Sequence, residues 1–433
     1  MEDILEKAKR VSQWAEVYHV SRQETTAVFE ANRLKQVHTR GGSSNALRLV
    51  KEGRIGFATA NRKDSAVKLV DMALETVAFG APAKFQLPSG QSYPRVEVFD
   101  AKVEATPIEK MVELGERLVA MVRGASPDIL CEASVTKAVF TVSVKNSAGG
   151  HSEYKKSVFS FGVEGTLIRG SDMLFVGEGD AACFPLLDPE PVASTVLLQL
   201  RRAEKLVQAP SGKLPVVLTP DAVASVLVYP LSMAFNGKLV LQGASPLGHK
   251  KDQVVFDSRF SMWDDATMPM RVGSRCCDDE AVPCRRIPLV EDGAVRSFLY
   301  DLQTAAMAGT ESTGSAVRGG GQPRPSTSAV VFSEGKTTFD QMVKSIKQGL
   351  VVEQLMGATQ SNVLSGDFSG NVLLGYKVEN GEIVGRVKDT MVSGNVYEVL
   401  KAADTLGSER RWVGGAYLLP PVYCAGLAVA AKG

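Results

Sequence analysis

Residues 15–37 read AEVYHVSRQETTAVFEANRLKQV. In AEVYHVSR and TTAVFEAN apolar residues alternate with polar ones, the period of a strand with one buried face. The same period runs outward through LKQVHTR (34–40), ALRLVKEG (46–53) and RIGFATA (54–60), which predicts a meander of antiparallel strands. A helix is expected before it, in MEDILEKAKRVSQW. Another follows in AVKLVDMALETVAFG (66–80), capped by Asp64, where Val67, Leu69, Val70, Ala73 and Leu74 keep helical spacing until Gly80, Pro82 and Pro88 break it.

A second round begins at Thr106-Pro107, a cap followed by a first-turn proline, leading the helix IEKMVELGERLVAMVRG (108–124). CEASVTKA (131–138), VFTVSVKN (139–146), HSEYKKSVFSFGVEG (151–165) and MLFVGEG (173–179) alternate as strands, and a helix is expected from about Pro189 to Leu206. Helix, strands, helix, twice over, suggests an internal duplication of 1–80 and 105–206. The stretch KLVQAPSGKLPVVLTP (205–220) has the Pro, Ser and Gly spacing of a linker entering a strand, so the domains are placed at 1–210 and 211–433.

The second half opens with Thr219-Pro220-Asp221, a cap, a first-turn proline and a first-turn acid ahead of the apolar helix AVASVLVYPLSMAFNG. Asp292-Gly293 and Asn380-Gly381 are hairpin signals, helices are expected from Thr338 to about Gln348 and from Asn395 to about Ala403, and VYCAGLAVA (422–430) reads as a buried closing strand. The fold class is α+β: an N-terminal α+β domain of antiparallel strands with flanking helices, then a β-rich domain with a few helices.

Composition limits the function classes. In 433 residues, 44% hydrophobic and 22% charged describe an ordinary folded chain, and 49 basic against 48 acidic residues leave a net charge of +1, too little to draw in nucleic acid or an anionic membrane. The most apolar windows fall short of the roughly 18–20 residues that span a bilayer. Glu2, Asp3 and Glu6 occupy the place of a signal's basic start, and six scattered cysteines suit a reducing compartment, so the cytoplasm is expected.

Familiar catalytic patterns are absent. Gly309–Ser315 (GTESTGS) is half a phosphate loop without its lysine, no serine sits in a G-x-S-x-G elbow, and no two of His19, His38, His151 and His249 stand at zinc spacing on a helix. Cys276, Cys277 and Cys284 lack a fourth ligand and read as structural thiols. The run Arg318–Pro325, rich in glycine, reads as a connector. Asp264, Asp265, Asp278, Asp279 and Glu280 lie near Arg271, Arg275, Arg285 and Arg286 in sequence, which favours a structural charge network over a cation site.

A series of segments in order nevertheless resembles the TldD/PmbA family, also called modulators of DNA gyrase or peptidase family U62. They are SPLGHKKDQVVFDSRFSMWDDATMP (245–269), SRCCDDEAVPCRRIPLVEDGAVRSFLYD (274–301), TESTGSAVRG (310–319), QGLVVEQLMGATQSNVLSGDFSG (348–370) and GYKVENGEIVGRVKDTMVSGNVYEVL (375–400), with residues 15–37 and EGRIGFATANRKD (52–64) in the first half. The resemblance marks Asp278, Asp279, Glu280, Asp301, Thr313, Gly314, Arg318, Asp367 and Asn395 as motif residues without an assigned role. It implies dimers and a split into two kinds of subunit: TldD-like chains with a zinc-binding His-Glu-x-x-x-His helix and a later cysteine, and PmbA/TldE-like chains without them.

At the corresponding helix, Tyr229 stands for the first histidine, Pro230 for the glutamate and Ala234 for the second histidine. None supplies the ligand or base its position calls for, and Pro230 is expected to kink the helix. No cysteine lies between Arg285 and Tyr423, and Ala281 replaces the glycine usual after the DDE acids. The resemblance therefore implies a non-catalytic PmbA/TldE-like chain with no cofactor or catalytic residue of its own. Its partner would be a zinc-bearing TldD-like peptidase subunit, or a second copy of itself, acting on unfolded or extended peptides or removing the leader of a microcin-type modified peptide. Two alternatives stay open: a stand-alone homodimeric hydrolase, or a binding protein that modulates DNA gyrase.

Overall fold

In the computed structural model, which describes residues 1–61, 66–360, 362–401 and 406–432, the first half of the chain builds one six-stranded antiparallel sheet. Its strands are β1 (Trp14–Glu30), β2 (Arg33–Lys51), β3 (Arg54–Ala60), β4 (Leu130–Asn146), β5 (His151–Arg169) and β6 (Asp172–Ala182), in the order β3-β2-β1-β4-β5-β6. The short segments predicted at 15–22 and 25–32 are one continuous strand, as are 34–40 with 46–51, and 131–138 with 139–146. Polar residues between the apolar runs, and in β2 the turn-like Gly41-Gly42-Ser43-Ser44-Asn45, read as breaks, but in a sheet this long they stay paired in register with the neighbouring strand. The turn between β1 and β2 falls at Ala31-Asn32, with φ of 47° and 70°. Asn32 locks it to β4, donating to the Ile129 carbonyl at 3.0 Å and accepting from the Cys131 amide at 2.8 Å.

Helices α1 (Glu2–Lys9), α2 (Ala66–Glu75), α3 (Ala101–Ala105), α4 (Ile108–Ala125) and α5 (Glu190–Arg202) accompany the sheet. Ala15, Val17, Leu47 and Leu49 pack with α1 and α2, while Ala27, Phe29, Ala133, Val135, Phe161 and Val163 pack with α4 and α5. By the strand period these residues share one face. The cap expected at Asp64 lies outside the described residues, and α5 ends at Arg202 rather than near Leu206.

The second half holds helices α6 (Pro220–Val223), α7 (Tyr229–Ala234), α8 (Gly237–Leu241), α9 (Leu302–Ala308), α10 (Phe339–Lys344) and α11 (Val396–Leu400). Its strands are β7 (Gly212–Leu218), β8 (Met262–Asp265), β9 (Arg286–Glu291), β10 (Ala294–Val295), β11 (Ala316–Val317), β12 (Arg324–Pro325), β13 (Val330–Phe332), β14 (Gln348–Met356), β15 (Asp367–Glu379), β16 (Glu382–Arg386), β17 (Thr390–Asn395), β18 (Arg411–Val413), β19 (Tyr417–Leu419) and β20 (Val422–Ala431). The order β14-β7-β20-β17-β15-β16, with β14 also pairing β15, closes a barrel. A second sheet runs β10-β9-β8-β13-β19-β18. Asp292-Gly293 and Asn380-Gly381 take positive φ at the expected hairpins. Helix α10 stops at Lys344 and α11 at Leu400, and Ala403 lies outside the described residues.

One core crosses residue 211: Val217, Val351, Leu374 and Tyr376 of the barrel pack in the same cluster as Val196 and Leu200 of α5. The fold is α+β, as expected.

At Gly115 α4 lies close against the sheet, and an added Cβ would stand 2.2 Å from the Phe29 ring. Alanine would gain about 1 kcal/mol of helix propensity. Overpacking a fixed aromatic costs about 1–3 kcal/mol. Gly115→Ala should therefore lower the thermal midpoint despite its better propensity, as differential scanning fluorimetry would show; a rise would mean that Phe29 moves freely.

Candidate functional site

The DDE acids sit in a turn between β8 and β9 that presses against the helix-free face of the first sheet, and all three are buried. Asp278 accepts from the amides of Glu280 (2.9 Å), Val282 (2.9 Å) and Ala316 (2.9 Å), so its carboxylate organises both its own turn and β11. Asp279 accepts from the Arg318 amide at 2.7 Å and pairs with Arg275 at 3.4 Å. Glu280 accepts from the Leu302 amide at 2.7 Å and from the Arg48 guanidinium, which pairs at 3.0 Å with Glu16 on the other side. Arg318 also pairs with Glu16 and donates to the Asp279 carbonyl at 3.1 Å. Arg48 lies 4.5 Å from the Phe85 ring centroid, and Arg318 5.5 Å from that of Tyr18.

These contacts make a charge cluster between the halves of the chain. Three arginines, Arg48, Arg275 and Arg318, face four carboxylates, Glu16, Asp278, Asp279 and Glu280. Burial, with the neighbouring Asp278, Asp301 and Glu16 carboxylates adding to it, pushes Glu280 up to about 8 against the pull of Arg48. Burial likewise pushes Asp264 up to about 7, although the Ser328 and Ala329 amides donate to it at 2.7 and 2.8 Å. Of the four arginines near these acids in sequence, Arg275 joins the cluster, and its other arginines, Arg48 and Arg318, come from outside that stretch. Arg271 lies over Trp412 and Arg286 over Trp263, each at 4.3 Å, and Arg285 is exposed on the Ser312 carbonyl.

The remaining motif residues divide. Asp301 caps α9 by accepting from the Thr304 amide at 2.7 Å, Thr313 accepts from the Tyr300 amide at 2.8 Å, and both border the cluster. Gly314 has φ of 70°, and a Cβ there would meet the Pro283 carbonyl at 2.6 Å, so only glycine fits. Ala281 also takes a left-handed φ, 59°, in the turn where the resemblance leads one to expect glycine, a strain of roughly 1–2 kcal/mol. Asp367 and Asn395 do not join the cluster. Asn395 donates to Asp367 at 2.8 Å and caps α11, clipping a corner of the barrel.

The helix with the substituted ligand positions is not kinked to a stop. It passes from α6 through a π-helical turn, Ala224–Val228, into α7, and Pro230 sits in the first turn of α7, where its missing N–H matters least. Tyr229 is half exposed, Pro230 is buried, and Ala234 is wholly buried in the core. These three do not fit a zinc ion: a phenol, a ring without a donor and a methyl turned into the core offer no tetrahedral set. Among the described residues no three His, Cys, Asp or Glu are grouped to hold a metal.

Sequence reasoning missed Glu16, Arg48 and the polar face they share with Tyr18, Ser152, Tyr154 and Lys156. The signal was present as polar residues at the second face of β1, β2 and β5, but a face that looks solvated in sequence is covered here by the other half of the chain. It also missed a trough of about 840 Å³ at the opposite end of that face, bordered by the barrel and Asp221. Cys277 is buried with its Sγ 3.0 Å from Ser152 Oγ, whereas its neighbour Cys276 is partly open, with its thiol pulled down to about 7 by hydrogen bonding from Cys277 and Ser152.

Residues 15–77 match the PmbA/TldA metallopeptidase domain 1 model, and residues 211–431 match the PmbA/TldA metallopeptidase C-terminal domain model. An uncharacterised protein of Methanocaldococcus jannaschii is 27% identical over 398 residues, 90% of each chain. A metalloprotease of Methanothermobacter thermautotrophicus is 26% identical over 408 residues, 92% of this chain and 89% of its own. In fold, the crystal structure of TldE from Thermococcus kodakarensis is similar over 100% of both chains, with a TM-score of 0.92 at 23% identity.

Two measurements test the cluster. The folded chain keeps a proton on Glu280 that an unfolded chain releases in the usual carboxylate range. That contribution to stability is complete below this range and is lost as pH rises through about 8. The thermal midpoint should fall across that window, and fall less in Glu280→Gln; equal slopes would refute the assignment. Of the six cysteines, Cys276 alone should react quickly with a disulfide reagent in the native chain at neutral pH, and Cys276→Ser should abolish that signal.

Proposed function

Because the chain belongs to the PmbA/TldD metallopeptidase family, we propose that it is the PmbA/TldE-like subunit of a two-chain peptidase, paired with a zinc-bearing TldD-like chain. One observation carries this reading. At the turn of helix where a hydrolytic ion would be held, Tyr229, Pro230 and Ala234 provide neither ligand set nor base, and Ala234 is packed into the core, where replacement by histidine would bury a polar ring. The likeness in fold to TldE supports it.

In this role the chain contributes architecture. Its two domains, 1–210 and 211–433, share an apolar core and are kept in register by the Glu16–Arg48–Arg318 cluster, and the assembled subunit forms a dimer surface and one wall of an enclosed space that admits extended peptide. The substrates are unfolded peptides, or the leader segment of a modified peptide, in the cytoplasm. Among the described residues no helix is long and apolar enough to cross a membrane. Hydrolysis belongs to the partner, and no chemical step is assigned to residues of this chain.

The test is metal analysis and peptide cleavage, on the isolated chain and on its mixture with a chain carrying the His-Glu-x-x-x-His helix. Co-purification of the two, with zinc and cleavage only in the mixture, is the expected result. Stoichiometric zinc and cleavage in the isolated chain would overturn the reading in favour of a stand-alone hydrolase, and capture of gyrase in place of the zinc chain would favour a regulator.

A further inference from the structure

The helix-free face of the first sheet ends in the trough described above, and its lining is one-sided. Among the described residues its lining contains six carboxylates, Glu30, Glu132, Glu164, Glu178, Asp221 and Glu353, and no Lys, Arg or His. Four of them are answered from outside the lining: Lys35 pairs with Glu30, Arg411 with Glu178 and Asp221, and Arg202 with Glu353 at 3.5 Å. Glu132 and Glu164 have no ion-pair partner among the described residues, and both are exposed. They stand directly opposite each other in the β4–β5 register. One step beyond the last β1–β4 pair, Phe29 with Ala133, Glu30 extends the same row.

Like charges opposite one another weaken a sheet, and nothing in the fold requires these two to be acids. Beside the row the floor is bare: Gly162 pairs with Gly179, and Gly177 stands opposite Glu164. Strands about 4.8 Å apart make a three-residue row roughly 10 Å long, the span of about three residues of extended chain.

We propose that this trough binds an extended peptide segment bearing Lys or Arg side chains. Complementarity of charge selects the occupant. The Glu30–Glu132–Glu164 row takes the cationic heads, while the glycine floor lets the chain lie close to the sheet. The inference rests on the peptide reading above and narrows its substrate to basic segments.

Binding is measured on the full chain alone, without a partner subunit, so its outcome is independent of the zinc test. The probes are three fluorescently labelled peptides of equal length, with Lys/Arg, Gln or Glu at the same positions. The basic peptide should bind, with an affinity that falls as salt is added, and the other two should not. Glu132→Gln/Glu164→Gln should weaken it about tenfold. The same variant should have an unchanged or higher thermal midpoint, because a repulsion is removed. Equal binding of the three peptides, an unaltered affinity in the double variant, or a lower midpoint in it would overturn the proposal. So would protection of the native chain by magnesium or spermine without binding of the basic peptide. If the zinc-bearing mixture cleaves peptides while this titration fails, only the present inference falls.

Discussion

Glu16 is shared by two arginines that reach it from distant parts of the chain, Arg48 from the neighbouring strand and Arg318 from the second half. Everything between the halves is arranged around that carboxylate. Taking so many charges out of water costs several kcal/mol per ion, and buried pairs seldom repay it. Among the described residues Glu16 Oε2, Arg48 Nε, Arg275 Nε and Arg318 Nη1 are buried without a hydrogen-bond partner, so the cluster is not the source of adhesion. Adhesion comes from the apolar core that runs from α5 into the barrel through Val217, Val351 and Tyr376. The charges supply register. Shifting the halves relative to each other would strand an arginine or a carboxylate in a dry place, at about 3–5 kcal/mol for a broken buried pair.

Much of this was legible in sequence, and the failures have physical causes. The alternation in 15–60 and 131–179 identified strands because the period of two survives any length of strand. It did not give their number, since a polar run inside a long strand carries the same signal as a loop. Asp292-Gly293 and Asn380-Gly381 announced hairpins, because positive φ restricts the residues that can stand there, while Ala31-Asn32 takes the same region without glycine and was passed over, and Ala281 does so at the position where the resemblance marked a missing glycine. Asp278, Asp279, Glu280 and Arg318 came from motif, and their convergence could not be anticipated from spacing: Glu16 and Arg48 are more than two hundred residues away from Glu280.

The helix across Asp221–Asn236 shows how a proline can be absorbed. A π turn inserts one residue's worth of winding ahead of Tyr229, and proline then occupies the first turn of the next α segment, where it costs little. What would have been a helix broken at roughly 3 kcal/mol becomes a continuous run. Ala234 then fills core rather than facing a cavity. Pro230 and Ala234 are consistent with a packing role, and a histidine at Ala234 would bury a polar ring.

The clamp and the trough are two ends of one sheet face. Because side chains alternate strictly, fixing Glu16 toward the second half also fixes Glu30 on the same side of β1, and the β1–β4–β5 registers carry that choice to Glu132 and Glu164. At the Glu16 end three arginines arrive and the face is sealed. At the other end no cation among the described residues pairs with Glu132 or Glu164, and both stay exposed. The difference is the supply of arginine, not the strand pattern. A slip of one residue in β1 would unseat the clamp and turn Glu30 toward α4 and α5, so the Asn32 lock at the strand tip, which holds β1 and β2 against the start of β4, protects the placing of Glu16 and Glu30 at once.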